Sequence, residues 1–124
     1  MSFRKSIVRS FGAAWRGLLR AFKTERTFQV MVAASCIVLI LLATLPLSSS
    51  ERLVMLLVTG LVLVLELLNT MVERLIDMLK PRLSAYVRDV KDLMAAAVLV
   101  AAFFALLIAV LILFPHVSLM IASL

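Results

Sequence analysis

The chain has 124 residues, 65% of which are hydrophobic, and its 13 Lys and Arg against 7 Asp and Glu give a net charge of +6. Soluble domains are about 45–50% apolar, so this composition excludes an ordinary soluble enzyme and predicts one domain embedded in a lipid bilayer. A basic chain of this hydropathy is expected to meet anionic lipid headgroups and not nucleic acid.

The first predicted element is an amphipathic helix over residues 3–23. Such a helix is expected to lie in the headgroup plane of a membrane, with its aromatic rings towards the acyl chains and its cations towards the lipid phosphates. A mitochondrial-type targeting helix is the competing interpretation, because no acid precedes Glu25. Val8, Phe11, Leu18, Leu19 and Phe22 surround Trp15 on the apolar side, and Lys5, Arg9, Arg16, Arg20 and Lys23 form the basic side.

Three apolar runs are long enough to cross a bilayer as helices. Pro46 and the serines that follow it separate the first run from the second, and Ser50 with Glu51 supplies a helix start. The second run would be about 40 Å long, so its polar end should reach the headgroup layer. An elbow over 24–27 precedes the first span, and the predicted spans are residues 28–45, 52–80 and 94–114.

The segments that join and follow the spans are predicted from their polarity and their prolines. Pro81 should end the second helix, and residues 82–91 should form a polar connection to the third. Pro115 and His116 should begin a short uncharged tail. Arg52 is the one Lys or Arg outside the N-terminal segment, its elbow, the end of the second helix and the polar connection. The positive-inside rule therefore predicts a cytoplasmic N-terminus.

The polar end of the second span carries its acids on one side. With Glu66 at 0° and about 100° per residue, Asn69 falls near −60°, Thr70 near +40°, Glu73 near −20° and Asp77 near +20°. An acid at the centre of a bilayer helix costs roughly 2.5–3.5 kcal/mol, so packing alone does not explain this face. We interpret it as the candidate active site.

The residue types at this depth suit phosphoryl transfer from a cytoplasmic nucleotide to a membrane alcohol. Glu25 and Glu73 could supply carboxylates to Mg²⁺, which takes one or two of them together with substrate phosphates and waters. Glu66, about 10 Å deeper along the helix, could accept the proton of a lipid hydroxyl. The basic side chains that could hold phosphate oxygens are Lys80, Arg88 and Lys91.

Two other classes of function remain open on these observations. A small non-enzymatic membrane protein, such as a proton- or cation-coupled transporter subunit, could use Glu66 as a carrier. It would need an aqueous route from both sides of the membrane, and the outer halves of the predicted spans offer none. A membrane scaffold would tolerate the loss of Glu25 and Glu73.

The polar face belongs to a longer pattern. The string ELLNTMVE at 66–73, followed by Asp77, by Lys91 and Asp92, and by AAAVL at 95–99, resembles the prokaryotic diacylglycerol kinase and undecaprenol kinase family. The pattern Ser10-Phe11-x-x-Ala14-x-x-Gly17, then Glu25-Arg26-x-Phe28, looks like the branch typified by undecaprenol kinases of Gram-positive bacteria. The likeness covers about residues 10–114.

The resemblance implies a fold, a reaction and a set of roles. The fold would be an amphipathic surface helix plus three transmembrane helices in a homotrimeric bundle of the bacterial cytoplasmic membrane, with sites between neighbouring subunits. ATP with Mg²⁺ would phosphorylate the hydroxyl of undecaprenol or diacylglycerol. Glu66 would be the catalytic base and would contact the lipid with Asn69, and Glu25 and Glu73 would bridge the metal to the phosphates. The nucleotide and phosphate site would also include Asn69, Asp77, Lys91 and Asp92.

The chain departs from the family at two places. Arg82-Leu83-Ser84 stands after Pro81, where the family commonly has Glu-Tyr-His. Gln29 and Met31 stand in the elbow region, where the undecaprenol branch tends to carry Arg and His.

Overall fold

The computed structural model describes residues 2–79 and 84–124, which form four α-helices and, over those residues, no strand. The helices are α1 (Phe3–Thr24), α2 (Arg26–Thr44), α3 (Ser49–Leu79) and α4 (Ser84–Ala122). By length and composition α2, α3 and α4 can each cross a membrane. The predicted all-α architecture with three long apolar helices is therefore confirmed. Lys80 and the predicted connecting residues Pro81, Arg82 and Leu83 lie outside the described residues.

The start of α4 corrects the predicted boundary of the third element. We expected a polar connection up to Lys91, whereas the helix already begins at Ser84. Polar side chains do not by themselves interrupt a helix, and residues 84–114 contain neither Gly nor Pro. Val87 in the first turn is buried, at 6% exposed, so tertiary packing holds this end of the helix in place.

The end of α4 differs from the prediction as well. Pro115 was expected to begin a tail, but it lies inside the helix, which continues to Ala122. Proline removes one backbone hydrogen bond from a helix interior, and apolar helices tolerate this loss when neighbouring groups compensate. The hydrogen bond lost here is the one to the Leu111 carbonyl, while the Pro115 carbonyl itself accepts from Ser118 Oγ at 3.0 Å. The apolar residues beyond Pro115 then extend the helix.

α3 is the central element, because it packs against both α2 and α4, while α1 packs against α2. The best-closed part of the core lies where α2 ends and α3 begins. Leu42, Leu45, Leu47 and Met55 are all at most 7% exposed there. Residues of α4 such as Ile108 and Ile112 pack against this cluster. We call this region, with Ser48, Glu51 and His116, the serine-loop end.

Polar contacts at the serine-loop end lock the start of α3. Ser48 and Glu51 form a capping box, in which Glu51 Oε1 accepts from the Ser48 N–H at 3.0 Å and Ser48 Oγ accepts from the Glu51 N–H at 3.2 Å. The helix therefore starts with Ser48 as its cap and not with Ser50. His116 Nε2 lies 3.1 Å from Glu51 Oε2, so this histidine ties α4 to α3.

α1 forms over the predicted range and remains largely uncovered by the rest of the chain. Phe3, Phe11 and Trp15 are 82%, 75% and 62% exposed, and Ala21 is the buried residue of this helix. An apolar side this open is what a helix lying on a lipid surface would present. That location stays a prediction.

Candidate active site

The elbow between α1 and α2 consists of one non-helical residue, Glu25, with φ −107° and ψ 108°. Its N–H donates to the Ala21 carbonyl at 2.9 Å, and its own carbonyl accepts from the Gln29 N–H at 3.1 Å. The Gln29 side chain also donates through Nε2 to the Phe22 carbonyl at 2.7 Å. The backbone N–H and carbonyl of Glu25 are therefore both hydrogen-bonded at the junction of the two helices. These bonds fix the position of the Glu25 backbone, from which its side chain extends.

Arg74 of α3 binds this elbow. Its Nη2 donates to Thr24 Oγ1 at 2.8 Å and to Glu25 Oε1 at 3.2 Å. The Thr24 hydroxyl in turn donates to the Arg20 carbonyl at 2.7 Å. The Arg74 and Glu25 side chains are 46% and 28% exposed, and a pair this open stabilises a fold by only about 0–1 kcal/mol. Its larger consequence is geometric, because it holds Glu25 beside α3.

Arg74 does not pair with Glu73, its neighbour in the sequence. The structure pairs it with Glu25 instead, because consecutive residues on a helix point in directions about 100° apart. Glu73 is half-buried and makes no hydrogen bond or ion pair with a described residue.

Glu66 is buried within the chain, at 3% exposed, together with Thr70 at 6%. The Thr70 hydroxyl donates to the Glu66 backbone carbonyl at 3.1 Å, so it does not serve the Glu66 carboxylate. Within residues 2–79 and 84–124 that carboxylate forms no hydrogen bond and no ion pair. No side-chain oxygen of the described residues is both fully enclosed and unpaired, so the Glu66 carboxylate keeps an opening to its surroundings. An acid with such an opening and no partner is accessible to a ligand.

Electrostatic interactions link acids of the polar face to the acid of the elbow. Glu66 lies within electrostatic range of Glu73 on its own helix and of Glu25 from the elbow. Arg74 is the cation in contact with this group among the described residues. We call the three acids Glu25, Glu66 and Glu73, together with the cation Arg74, the carboxylate cluster.

The remaining predicted residues stand in different surroundings. Asn69 is half-buried on the side of α3 that carries Glu66, and Asp77 is exposed one turn beyond Glu73. Lys91 and Asp92 are exposed on α4, and neither pairs with any residue of the described segments. Within one chain, then, the structure pairs Glu25 with Arg74 of α3 and places it within electrostatic range of Glu66. It does not bring Lys91 or Asp92 into contact with these acids.

Sequence reasoning missed Arg74 and Thr24 as parts of this region. Their hydrogen bond joins residues 50 positions apart, and no local periodicity reports a contact of that separation. The one available signal was the position of Arg74 directly after Glu73, near the level expected for the elbow.

Comparison with known proteins places the chain in a family. The family model described as prokaryotic diacylglycerol kinase matches residues 12–113. The undecaprenol kinase of Bacillus subtilis (strain 168) is 37% identical over 107 residues, which are 86% of this chain and 87% of that protein.

Two diacylglycerol kinases are also similar. That of Synechocystis sp. is 35% identical over 90% of this chain and 65% of its own length. That of Pseudomonas aeruginosa is 31% identical over 78% of this chain and 79% of its own length. With its three apolar helices and the match over residues 12–113, the chain belongs to the prokaryotic diacylglycerol kinase family and is a multi-pass membrane lipid kinase.

Proposed function

We propose that this kinase transfers the γ-phosphate of ATP to the hydroxyl of a membrane lipid and releases a lipid phosphate. The observation that carries the proposal is the buried residue Glu66, whose carboxylate has no partner among the described residues and lies within electrostatic range of Glu73 and Glu25. A transporter subunit using Glu66 as a carrier, or a scaffold, would leave the family membership unexplained.

Glu66 is the general base in this proposal. A lipid held by its apolar chains can bring its hydroxyl to a carboxylate that is buried in the same layer, and a positioned base contributes about 10²- to 10⁴-fold to a rate. Because no described residue binds the Glu66 carboxylate, its oxygens remain available to the hydroxyl proton. Asn69, half-buried on the same helix, would orient that hydroxyl.

Glu73 and Glu25 fit the donor chemistry that Mg²⁺ requires. Glu73 has no partner among the described residues, and Glu25 offers the oxygen that is not bound to Arg74. In those segments no three His, Cys, Asp or Glu side chains are grouped closely enough to enclose a metal. Mg²⁺ usually takes one or two carboxylates and completes its shell with phosphates and waters. The ion would supply charge neutralisation on the phosphates.

The nucleotide side of the site would use Asn69, Asp77, Lys91 and Asp92. Since Lys91 makes no contact with the acids of its own chain, we propose that a neighbouring subunit of a homotrimer completes the phosphate site. Exposed apolar side chains along α2, α3 and α4 are available for packing between subunits as well as for lipid. The site would face the cytoplasm of a bacterium, where ATP is available.

The acceptor is undecaprenol or diacylglycerol, and both alcohols would use the same carboxylates. We favour undecaprenol, because the chain is 37% identical to an undecaprenol kinase. The N-terminal pattern, Ser10-Phe11-x-x-Ala14-x-x-Gly17 followed by Glu25-Arg26-x-Phe28, points the same way, although Gln29 and Met31 depart from that branch.

A labelling experiment tests the reaction and the acceptor together. The purified protein in lipid nanodiscs is incubated with Mg²⁺ and either γ-labelled or α-labelled ATP, with undecaprenol or diacylglycerol as the supplied alcohol. We expect labelled lipid from γ-labelled ATP alone, and faster labelling of undecaprenol. Absence of labelled lipid with both alcohols would overturn the proposal, and faster labelling of diacylglycerol would reverse the choice of acceptor.

A further inference from the structure

The N-terminus of α2 offers the Glu25 carboxylate a different position from the one it occupies. Glu25 is the N-cap residue of α2, and an oxygen there can accept from the free N–H groups of the first helical turn. The positive end of the helix dipole attracts a carboxylate to the same place. In the described structure, however, the Glu25 side chain makes no capping hydrogen bond and binds Arg74 of α3 instead. The direction of this side chain is therefore decided by α3 and not by its own helix.

Arg74 is itself held in place by Thr24. The shorter of its two hydrogen bonds, at 2.8 Å, goes to Thr24 Oγ1, and the one to Glu25 Oε1 is 3.2 Å long. Because the Thr24 hydroxyl donates its own proton to the Arg20 carbonyl, its lone pairs are left to accept from the guanidinium. Thr24 thus sets the position of Arg74, and Arg74 sets the direction of Glu25.

A cation beside a metal-binding carboxylate can act in two opposite ways. Its charge repels Mg²⁺, so a purely electrostatic role would lower the metal affinity. Its hydrogen bond fixes one oxygen and leaves the other free, so a positioning role would raise the metal affinity. The second effect is favoured here, because Glu25 has a competing position at the start of α2. The Arg74 side chain is 46% exposed, so solvent screens the repulsion.

We propose that Arg74, held by Thr24, is a positioning residue that turns the Glu25 carboxylate away from the N-terminus of α2 and towards α3 for the binding of Mg²⁺. The inference rests on the proposed function, which gives Glu25 its metal role. In this direction Glu25 lies within electrostatic range of Glu66, so a cation held by Glu25 is also close to the proposed base.

The backbone of the elbow does not depend on this contact. The Glu25 N–H donates to the Ala21 carbonyl, and Gln29 Nε2 donates to the Phe22 carbonyl, whether or not Arg74 is present. An ion pair this exposed contributes little to stability. Loss of Arg74 should therefore free the Glu25 side chain without unfolding the elbow, and the thermal midpoint should stay close to that of the wild type.

Mn²⁺ binding tests the proposal without turnover. The full-length protein in lipid nanodiscs is titrated with Mn²⁺ in the presence of a non-hydrolysable ATP analogue, and bound metal is followed by electron paramagnetic resonance. Arg74→Gln removes the guanidinium, and Thr24→Val keeps every charge but removes the hydroxyl that holds it. Thr27→Val is the matched control, because Thr27 is exposed and its side chain has no hydrogen bond in the described structure. Glu25→Gln gives the effect of losing the carboxylate itself.

We expect Arg74→Gln to weaken Mn²⁺ binding about tenfold, as is usual when the partner of a metal ligand is lost. Thr24→Val should weaken it in the same direction by a smaller factor, and Thr27→Val should bind Mn²⁺ like the wild type. The Mg²⁺ concentration for half-maximal lipid phosphorylation should rise in the same order, while KM for the lipid stays unchanged.

Tighter Mn²⁺ binding by Arg74→Gln, or wild-type affinity in either Arg74→Gln or Thr24→Val, would overturn the inference, because the guanidinium would then not position Glu25. Unchanged binding in Glu25→Gln would overturn it together with the metal role in the proposed function. A protein that binds Mn²⁺ in the expected order but labels no lipid would contradict only the proposed function.

Discussion

The two ends of α3 hold their acids in opposite ways. At the serine-loop end, Glu51 has one oxygen on the Ser48 N–H and the other 3.1 Å from His116. Near the other end, Glu66 is more deeply buried, yet neither it nor Glu73 pairs with any residue in the described segments. One acid therefore completes a structural junction, whereas the others gather without a local structural purpose.

Packing follows the same division. The serine-loop end is closed by Leu42, Leu45, Leu47 and Met55, all of them buried. The carboxylate cluster is held by an exposed ion pair and by the single-residue elbow at Glu25. The comparison teaches that burial alone does not identify a catalytic acid in a membrane protein. The absence of a partner for a buried acid is the more informative property.

The most direct test of the difference between the two ends of α3 is to neutralise one acid at each end. Glu66→Gln keeps the size of the side chain and removes the base, so we expect kcat for lipid phosphorylation to fall by about 10²- to 10⁴-fold. Glu51→Gln, the matched control, should retain kcat within about threefold, because its contacts lie at the far end of α3. A similar fall in both variants would remove the distinction between the two ends.

Glu73→Gln tests the metal role of the cluster. Removing one of two carboxylate ligands should raise the Mg²⁺ concentration for half-maximal activity by about tenfold or more. Mn²⁺ binding, followed by electron paramagnetic resonance in the presence of an ATP analogue, should weaken in parallel. Unchanged metal dependence in both assays would leave Glu73 without a metal role. Glu51→Gln again serves as the control.

Lys91→Gln separates recognition of the nucleotide from folding. Because Lys91 is exposed and has no partner in the described part of the chain, its loss should leave the melting temperature unchanged. If it binds phosphate from a neighbouring subunit, KM for ATP should rise about tenfold. Equal kinetic constants in wild type and variant would contradict its place in the nucleotide site.

Ser48→Ala should produce the smallest effect on the reaction and a measurable one on stability. Losing the cap of α3 costs about 1 kcal/mol, so the thermal midpoint in detergent should fall. The kcat should remain within about twofold, since the serine-loop end is distant from the chemistry. Ser50→Ala is the matched control, because Ser50 makes no side-chain hydrogen bond in the described structure. Equal midpoints for the two variants would contradict the capping assignment.

Much of the fold and part of the site followed from local pattern. The hydropathy and the length of an apolar segment can be read from consecutive residues, so the three long apolar helices were predictable. The period of the helix placed Glu66 and Glu73 on one side of α3. The distribution of Lys and Arg along the chain predicted that Glu25 lies at the same membrane surface. The family string at residues 66–73 narrowed the chemistry to lipid phosphorylation.

The true ends of α4 were decided by packing, because Val87 is buried near its start and His116 binds Glu51 beyond Pro115. The Arg74–Glu25 and His116–Glu51 pairs join residues 49 and 65 positions apart. The sequence by itself determined which residues are apolar, which are acidic and how they repeat along each helix, since these are properties of neighbouring positions. Only the tertiary structure decided which acids acquire partners, because that depends on how separate helices approach one another in space.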